Sequence, residues 1–135
     1  MTAEGLITRA SRTGPRETAE RLAAAVTRRG MAVLARIDHA AAAEKVGLAL
    51  RPTELVIFGS PKAGTPLMQA AQTIGIELPL RALVWQDAAG KTWLAYTDPH
   101  ELARRHGVDP RGLEQTLAAM TQALAAVAEE ATGPA

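Results

Sequence analysis

The sequence predicts an α+β domain: a single mixed β-sheet of about five strands with helices mostly on one face. The chain has 135 residues, the length of one ordinary domain, and 47% of them are hydrophobic. Segments of period-two hydrophobicity alternate with segments of helical period along this length. We therefore expect residues 1–135 to form a single domain, with a core over about 5–107 and a C-terminal helical extension over about 109–131.

The composition excludes several classes of protein. The chain has no cysteine, which excludes disulfides, iron–sulfur clusters and thiolate chemistry. Fifteen Lys and Arg residues oppose fourteen Asp and Glu residues, and this near-neutral balance predicts no nucleic-acid partner. The sequence has neither a run of about 18 apolar residues nor a basic-then-apolar leader. We therefore expect a cytoplasmic protein with no membrane partner.

Local signals predict four elements in the first part of the chain. Residues 5–10 predict a short strand, and residues 15–29 predict a helix with a proline in its first turn. Apolar residues alternate over 31–37, which predicts a half-buried strand. Asp38 is suited to cap a short helix over about 39–46.

The middle of the chain predicts a buried strand that leads into a helix. Residues 55–58 are four consecutive apolar residues, typical of a central strand with little water on either face. Thr65 and Pro66 then supply a cap and a first helical position for a helix to about residue 72.

The clearest predicted feature is a β-hairpin formed by residues 80–86 and 91–97. A connection over residues 88–90 suits this hairpin, because Gly90 can take the left-handed position of a three-residue loop. This register places Trp85 opposite Trp93 on the same face of the sheet.

Two helices are predicted after the hairpin. Asp98 and Asp109 each precede a proline, and both pairs are suited to start a helix. Apolar residues in the last helix recur at spacings of four and three, which fits either a seam with another chain or packing on the sheet. This seam consists of Leu113, Leu117, Met120, Leu124 and Val127.

The best candidate binding site is the segment 59–65, here called the 59–65 loop. Its glycines permit close approach of a ligand, the following helix offers free N–H groups, and Lys62 adds a positive charge. These features predict a cradle for an anion or a small polar ligand, and the alternative is a tight turn with no ligand. A P-loop is excluded because Thr65, not lysine, follows Gly64. The candidate ligand-binding residues of the loop are Gly59, Ser60, Lys62, Gly64 and Thr65.

His39 is the candidate histidine. It continues the apolar phase of the preceding strand, so we expect it on the covered side, next to the 59–65 loop. It could bind a ligand, transfer a proton or be a structural histidine. We expect His100 and His106 to complement helix dipoles. No metal-binding motif occurs, so no metal site is predicted.

Several segments together resemble a known family. The runs 37–48 and 58–68, the tripeptide 78–80, the tryptophan hairpin and the dipeptide 106–107 are similar to the bacterial family called domain of unknown function 302. The resemblance covers about residues 6–107 and implies a compact α+β fold and a homodimer, with no established activity or cofactor. Family members commonly have Asn where Ser60 stands, and they often end soon after the region of His106.

Three functions fit these observations. The first is a homodimeric domain that binds a small polar or anionic ligand at the 59–65 loop, with His39 near by. The second is a small enzyme or cofactor carrier, its cofactor unknown, in which His39 and Lys62 transfer protons or bind the cofactor. The third is a structural module that binds a partner and leaves the loop without a ligand.

Overall fold

Five strands form one sheet in the computed structural model, which describes residues 3–134. The predicted α+β class is confirmed. The expected mixture of parallel and antiparallel strands is wrong, because all four strand pairs in the described residues are antiparallel. The strands are β1 (Leu6–Ala10), β2 (Ala32–Asp38), β3 (Thr53–Gly59), β4 (Leu80–Gln86) and β5 (Thr92–Thr97). Their order across the sheet is β1-β5-β4-β3-β2.

Helices connect these strands and follow them. Aspartate caps begin two of them as predicted: the carboxylate of Asp38 accepts a hydrogen bond from the Ala41 N–H, and that of Asp98 accepts one from the His100 N–H, both at 2.9 Å. The helices are α1 (Pro15–Arg28), α2 (His39–Lys45), α3 (Pro61–Ala70), the 3₁₀ helix Gln72–Glu77, α4 (Pro99–Arg105) and α5 (Glu114–Thr132).

Two helices begin elsewhere than the sequence predicts. Helix α3 starts at Pro61 rather than at Pro66, because β3 runs directly into the first of two cap-and-proline pairs. Pro66 therefore lies inside the helix, where its missing N–H cannot bond the carbonyl of Lys62. Helix α5 starts at Glu114 rather than beside Pro110. Gly112, with φ of +81°, interrupts the helical backbone between these two positions.

The hairpin is as predicted. The Asp87 N–H donates to the Lys91 carbonyl at 2.8 Å, which closes the three-residue connection, and Gly90 adopts φ of +84°. Trp85 pairs with Trp93 across the strands, and their rings stack with centroids 6.5 Å apart. The short loop thus fixes the register and keeps both indoles on one face.

The two faces of the sheet differ in their covering. Helices α1 and α5 pack on one face, here called the covered face, which contains Val56 and Phe58 of β3 at 0% exposure. The opposite face, here called the open face, carries side chains that are half-exposed or exposed, apart from the buried Ala95. The large apolar residues of the open face are Leu6, Ile37, Leu55, Ile57, Leu83, Trp85 and Trp93.

Two strand predictions are corrected by this arrangement. Strand β2 was expected to be half-buried, but it is an edge strand with six of its seven residues exposed. Strand β3 was expected to be dry on both faces. It lies next to the edge, and Leu55 and Ile57 keep part of their surface exposed.

The apolar seam of α5 is used within the chain. Leu117 and Leu124 are each 1% exposed, and Met120 is 4% exposed, because α5 packs against α1 and the sheet. The alternative of packing on the sheet is therefore the observed one, and the seam does not offer a free surface to another chain.

Candidate functional site

The 59–65 loop is largely helical. Gly59 ends β3, Ser60 is the N-cap of α3, and the rest of the loop forms the first turns of α3. The N–H groups of Ala63 and Gly64 both donate to the Ser60 carbonyl, at 3.0 and 3.1 Å. The backbone of the loop is thus partly satisfied by the chain itself, which weakens the predicted cradle of free N–H groups.

The loop walls a cavity of about 480 Å³. Gly59, Ser60, Gly64 and Thr65 all line it, together with the start of β2, the segment from the 3₁₀ helix to β4, and α5. Fifteen of its seventeen lining residues are apolar or glycine, and the other two are Ser60 and Thr65. The site that the sequence indicated is therefore a concave site, but its chemistry is apolar.

Lys62 is not part of this cavity. Its side chain is exposed and does not line the walls, because it lies on the solvent side of the first turn of α3. The prediction that Lys62 and the loop together form an anion-receptive corner is not supported by this geometry.

His39 also lies away from the loop, and its expected position is wrong. Asp38 pairs with Glu54 at one end of the β2–β3 pair, whereas Ala32 pairs with Gly59 at the other. The five residue steps of β3 between these pairs span about 17 Å. His39 would neighbour the loop only if β2 and β3 were parallel. It is exposed at the start of α2 rather than on the covered side.

A polar groove lies at the His39 end of the sheet. The Arg36 guanidinium contacts Glu20 at 3.1 Å and Glu54 at 2.5 Å, and Asp38 also lines the groove. The hydrogen bond from Arg36 lowers the pKa of the Glu20 carboxyl. The hydrogen bonds to Glu54 and to Glu20 raise the pKa of Arg36. The Glu20 carboxylate and the Arg36 guanidinium thus stay ionised at neutral pH, and their ion pair stabilises the groove.

A polar cluster that sequence reasoning missed lies on the far side of the cavity wall. His106 Nε2 is 2.8 Å from the Glu77 carboxylate, and its Nδ1 is 3.0 Å from the Thr73 hydroxyl. These contacts tie the 3₁₀ helix to the end of α4, and Gly75 of that helix lines the cavity. His106 was expected only to complement a helix dipole. No local signal pairs it with Glu77, because 29 positions separate them.

Residues 3–134 lack two further features. Within this part of the chain, no three His, Asp or Glu side chains come together as a metal site. None of its helices combines the length and the apolar character needed to cross a membrane.

The chain belongs to a known family. The sequence model of the family described as "Domain of unknown function DUF302" matches residues 7–127, which is most of the chain. The match includes most of α5 and so extends past the region of His106, where the resemblance implied an end.

A solved structure has the same fold. It is titled "Crystal structure of uncharacterized conserved protein DUF302 from Bacillus stearothermophilus". It is 25% identical to this chain, with a TM-score of 0.83, and the similarity covers 96% of this chain and 99% of that one.

Curated relatives match over part of their length. A Brucella suis protein named "Fluoride-specific ion channel FluC 1" is 53% identical over 104 residues, which is 77% of this chain and 41% of that protein. A Brucella abortus protein of the same name is also 53% identical over 104 residues, 38% of its length. The chain thus spans about four-tenths of these relatives.

Proposed function

We propose that this member of the DUF302 family is a small-molecule-binding domain, with its ligand in the apolar cavity beside the 59–65 loop. The cavity carries this proposal. Its volume of about 480 Å³ lies within the range of roughly 300–1,000 Å³ of ligand pockets. Its walls come from four parts of one chain, so the site needs no other molecule to form.

The other two functions receive less support. An enzyme or cofactor carrier that uses His39 together with Lys62 requires the two side chains to meet, and they lie at opposite ends of β3. A purely structural module gives no reason for a cavity of this size next to the loop. Small-molecule binding accounts for the cavity and for the loop that walls it.

Native mass spectrometry of the protein as purified tests the proposal. We expect a bound adduct of a few hundred daltons, because pockets of this volume hold drug-sized molecules. Replacing Ala123, which lines the cavity, by Phe fills the space and should remove the adduct. The control is Ala125→Phe, an exposed position on the same helix. An adduct retained equally by Ala123→Phe and Ala125→Phe would contradict the proposal.

We further propose that two copies of the chain associate through the open face. Seven large apolar side chains lie there, among them Ile57 and the stacked pair Trp85 and Trp93, and all keep part of their surface exposed. A second copy of the chain suits this face. In a two-fold dimer the open faces of the two copies meet each other, so both sides of the interface are apolar. Burial of aromatic and branched side chains is typical of stable homodimers.

Sedimentation velocity tests this association. We expect a dimer of the 14.2 kDa chain at micromolar concentration, and a monomer for Ile57→Glu. Ile76→Glu is the control, because Ile76 is 77% exposed on the 3₁₀ helix, away from the sheet. A wild-type monomer at micromolar concentration would refute the association.

The curated relatives suggest how such a domain is used. Their name describes ion channels, while the described residues of this chain contain no helix that could cross a membrane. We propose that the matched part of those proteins is a binding domain joined to their membrane-spanning part. The same cavity would then supply small-molecule binding to a longer protein.

A further inference from the structure

We infer that the ligand of this cavity is a neutral, mainly apolar molecule with one hydrogen-bonding group, rather than an anion. This inference rests on the proposed function and names its ligand class. It follows from the composition of the walls, the placement of the two hydroxyl groups and the position of the nearest cation.

The walls combine small and adaptable side chains. Gly64, Gly75 and Ala123 leave the space open, and a Cβ added at Gly75 would lie 3.2 Å from the Met68 sulfur. Met68 lines the cavity together with Met31 and Met120. Methionine is flexible and polarisable, so three of them suit apolar ligands of varied shape.

The two polar side chains of the lining both belong to the start of α3. Ser60 is the N-cap of α3, but its side chain accepts no capping hydrogen bond, so its hydroxyl is available to a ligand. Thr65 adds a second hydroxyl to the lining, from the same helix. A hydroxyl both donates and accepts hydrogen bonds, so these residues fit a neutral oxygen or nitrogen of the ligand.

An anion would be poorly solvated in this cavity. The described lining contains no charged side chain, and Lys62 lies outside it. Moving an ionised group from water into apolar surroundings without a charged partner is costly. The space therefore favours a neutral ligand, although a helix N-terminus is near by.

The mouth of the cavity is apolar as well. Leu34 lines it and is 60% exposed. The pairing of β2 with β3 shifts by one residue between Val33 and Ala35, so Leu34 has no partner across the strands. Leu34 thus offers an exposed apolar side chain to a ligand of the cavity.

Two dyes that differ by one charge test the inference. N-phenylnaphthylamine is neutral, and anilinonaphthalene sulfonate is the same aryl amine with a sulfonate. We expect the neutral dye to gain fluorescence with saturation, and Ala123→Phe to weaken its binding by about tenfold or more. Ala125→Phe should leave that binding unchanged, and the sulfonate dye should bind at least about tenfold more weakly than the neutral one.

A second pair of variants covers the case in which Ala123→Phe does not fold. Ala119 lies in the lining and is exposed, so Ala119→Glu adds a carboxylate at the cavity without disturbing the core. Ala118→Glu adds the same charge to an exposed position outside the lining. Weaker binding of the neutral dye by Ala119→Glu alone supports the inference, and equal binding by both variants overturns it.

Calorimetry with sodium fluoride and sodium phosphate separates the inference from the proposed function. Binding of either anion that Ala123→Phe abolishes, with no binding of the neutral dye, would keep the small-molecule function and overturn the neutral ligand. The absence of binding by both dyes and both anions would overturn the function and the inference together. We expect heat from neither anion.

Discussion

The covered and open faces of the sheet come from the same strands and differ in what lies against them. In β3, Phe58 is fully buried under the helices, whereas its neighbour Ile57 points to the open face and keeps part of its surface exposed. The covered face is completed by the chain itself, through α1 and α5. The open face carries comparable apolar side chains without the same covering.

This difference separates stability from association. Side chains on the covered face stabilise the single chain, because their burial is complete in one copy. Side chains on the open face gain most of their burial only when another surface meets them. Substitutions on the two faces test this separation.

The largest effect is expected from a pair of neighbouring substitutions in β3. Phe58→Ala should lower the free energy of unfolding by about 3–5 kcal/mol, because it leaves a cavity in the closed core. Ile57→Ala should lower it by only about 1 kcal/mol for the monomer, because Ile57 is already partly exposed. Urea unfolding at low protein concentration measures both values.

The same pair also reports association. The cost of Ile57→Ala should rise with protein concentration, since the proposed dimer would bury that side chain, and the cost of Phe58→Ala should not. If Ile57→Ala cost as much as Phe58→Ala at every protein concentration, Ile57 would already be covered in the monomer. The two faces would then not differ in the way described here.

The next effect concerns the polar cluster of His106, Glu77 and Thr73. His106→Ala should lower the free energy of unfolding by about 1 kcal/mol, because it removes the partly buried contact with Glu77 and the exposed contact with Thr73. Hydrogen exchange should accelerate in the 3₁₀ helix and not in the hairpin. Faster exchange throughout the protein would instead show that these contacts hold the whole fold.

A smaller effect is expected on the open face, at the hairpin. Asp87 accepts hydrogen bonds from the Trp93 indole and from the Lys91 and Ala89 N–H groups, and the Trp93 bond is the main cause of its lowered pKa. Because the folded state lowers this pKa, the contribution to stability is present above the ordinary value of 3.8 and is lost as pH falls further. Asp87→Asn should therefore lower the melting temperature at pH 7.

The pH dependence supplies the control for that substitution. The difference between wild type and Asp87→Asn should shrink as the pH falls from 3.8 through the lowered pKa of the folded protein. Trp fluorescence reports the same change, since both indoles belong to the hairpin. A difference that is constant across this pH range would assign the effect to turn geometry rather than to the charge.

The smallest effect is expected for Lys62→Ala. The side chain is exposed and lies outside the cavity, so the free energy of unfolding should change by less than about 0.5 kcal/mol. Binding of N-phenylnaphthylamine should not change either. A loss of phosphate binding in this variant, measured by calorimetry, would restore the anion cradle that the sequence indicates.

The hairpin could be predicted because every signal for it is local. The distance along the chain between Trp85 and Trp93, together with Gly90 in the loop, fixes the turn and hence the pairing. The start of α3 could not be predicted in the same way. Ser60-Pro61 and Thr65-Pro66 are equivalent start signals, and only the end of β3 determines which one is used.

The sequence locates the loop that lines the cavity, but it does not indicate the apolar character of the cavity walls. The 59–65 loop does line a cavity, because a glycine-rich turn after a buried strand leaves room beside it. The apolar walls come from β2, the 3₁₀ helix region and α5, which only the tertiary structure brings together. The predicted position of His39 is wrong for a related reason. The segment between β2 and β3 is long enough for a parallel crossover, but the two strands form an antiparallel pair.

The pairing of β1 has a consequence for how the protein is made. Leu6 pairs with Thr97, and Arg9 donates to the Thr132 hydroxyl, so the first strand binds to parts of the chain synthesised roughly ninety residues or more later. During synthesis on the ribosome, β1 stays unpaired until β5 has been made, while the hairpin of β4 and β5 can form as soon as it emerges. Contacts of such long sequence separation raise the contact order and slow folding. The first strand to be synthesised is therefore among the last to join the sheet.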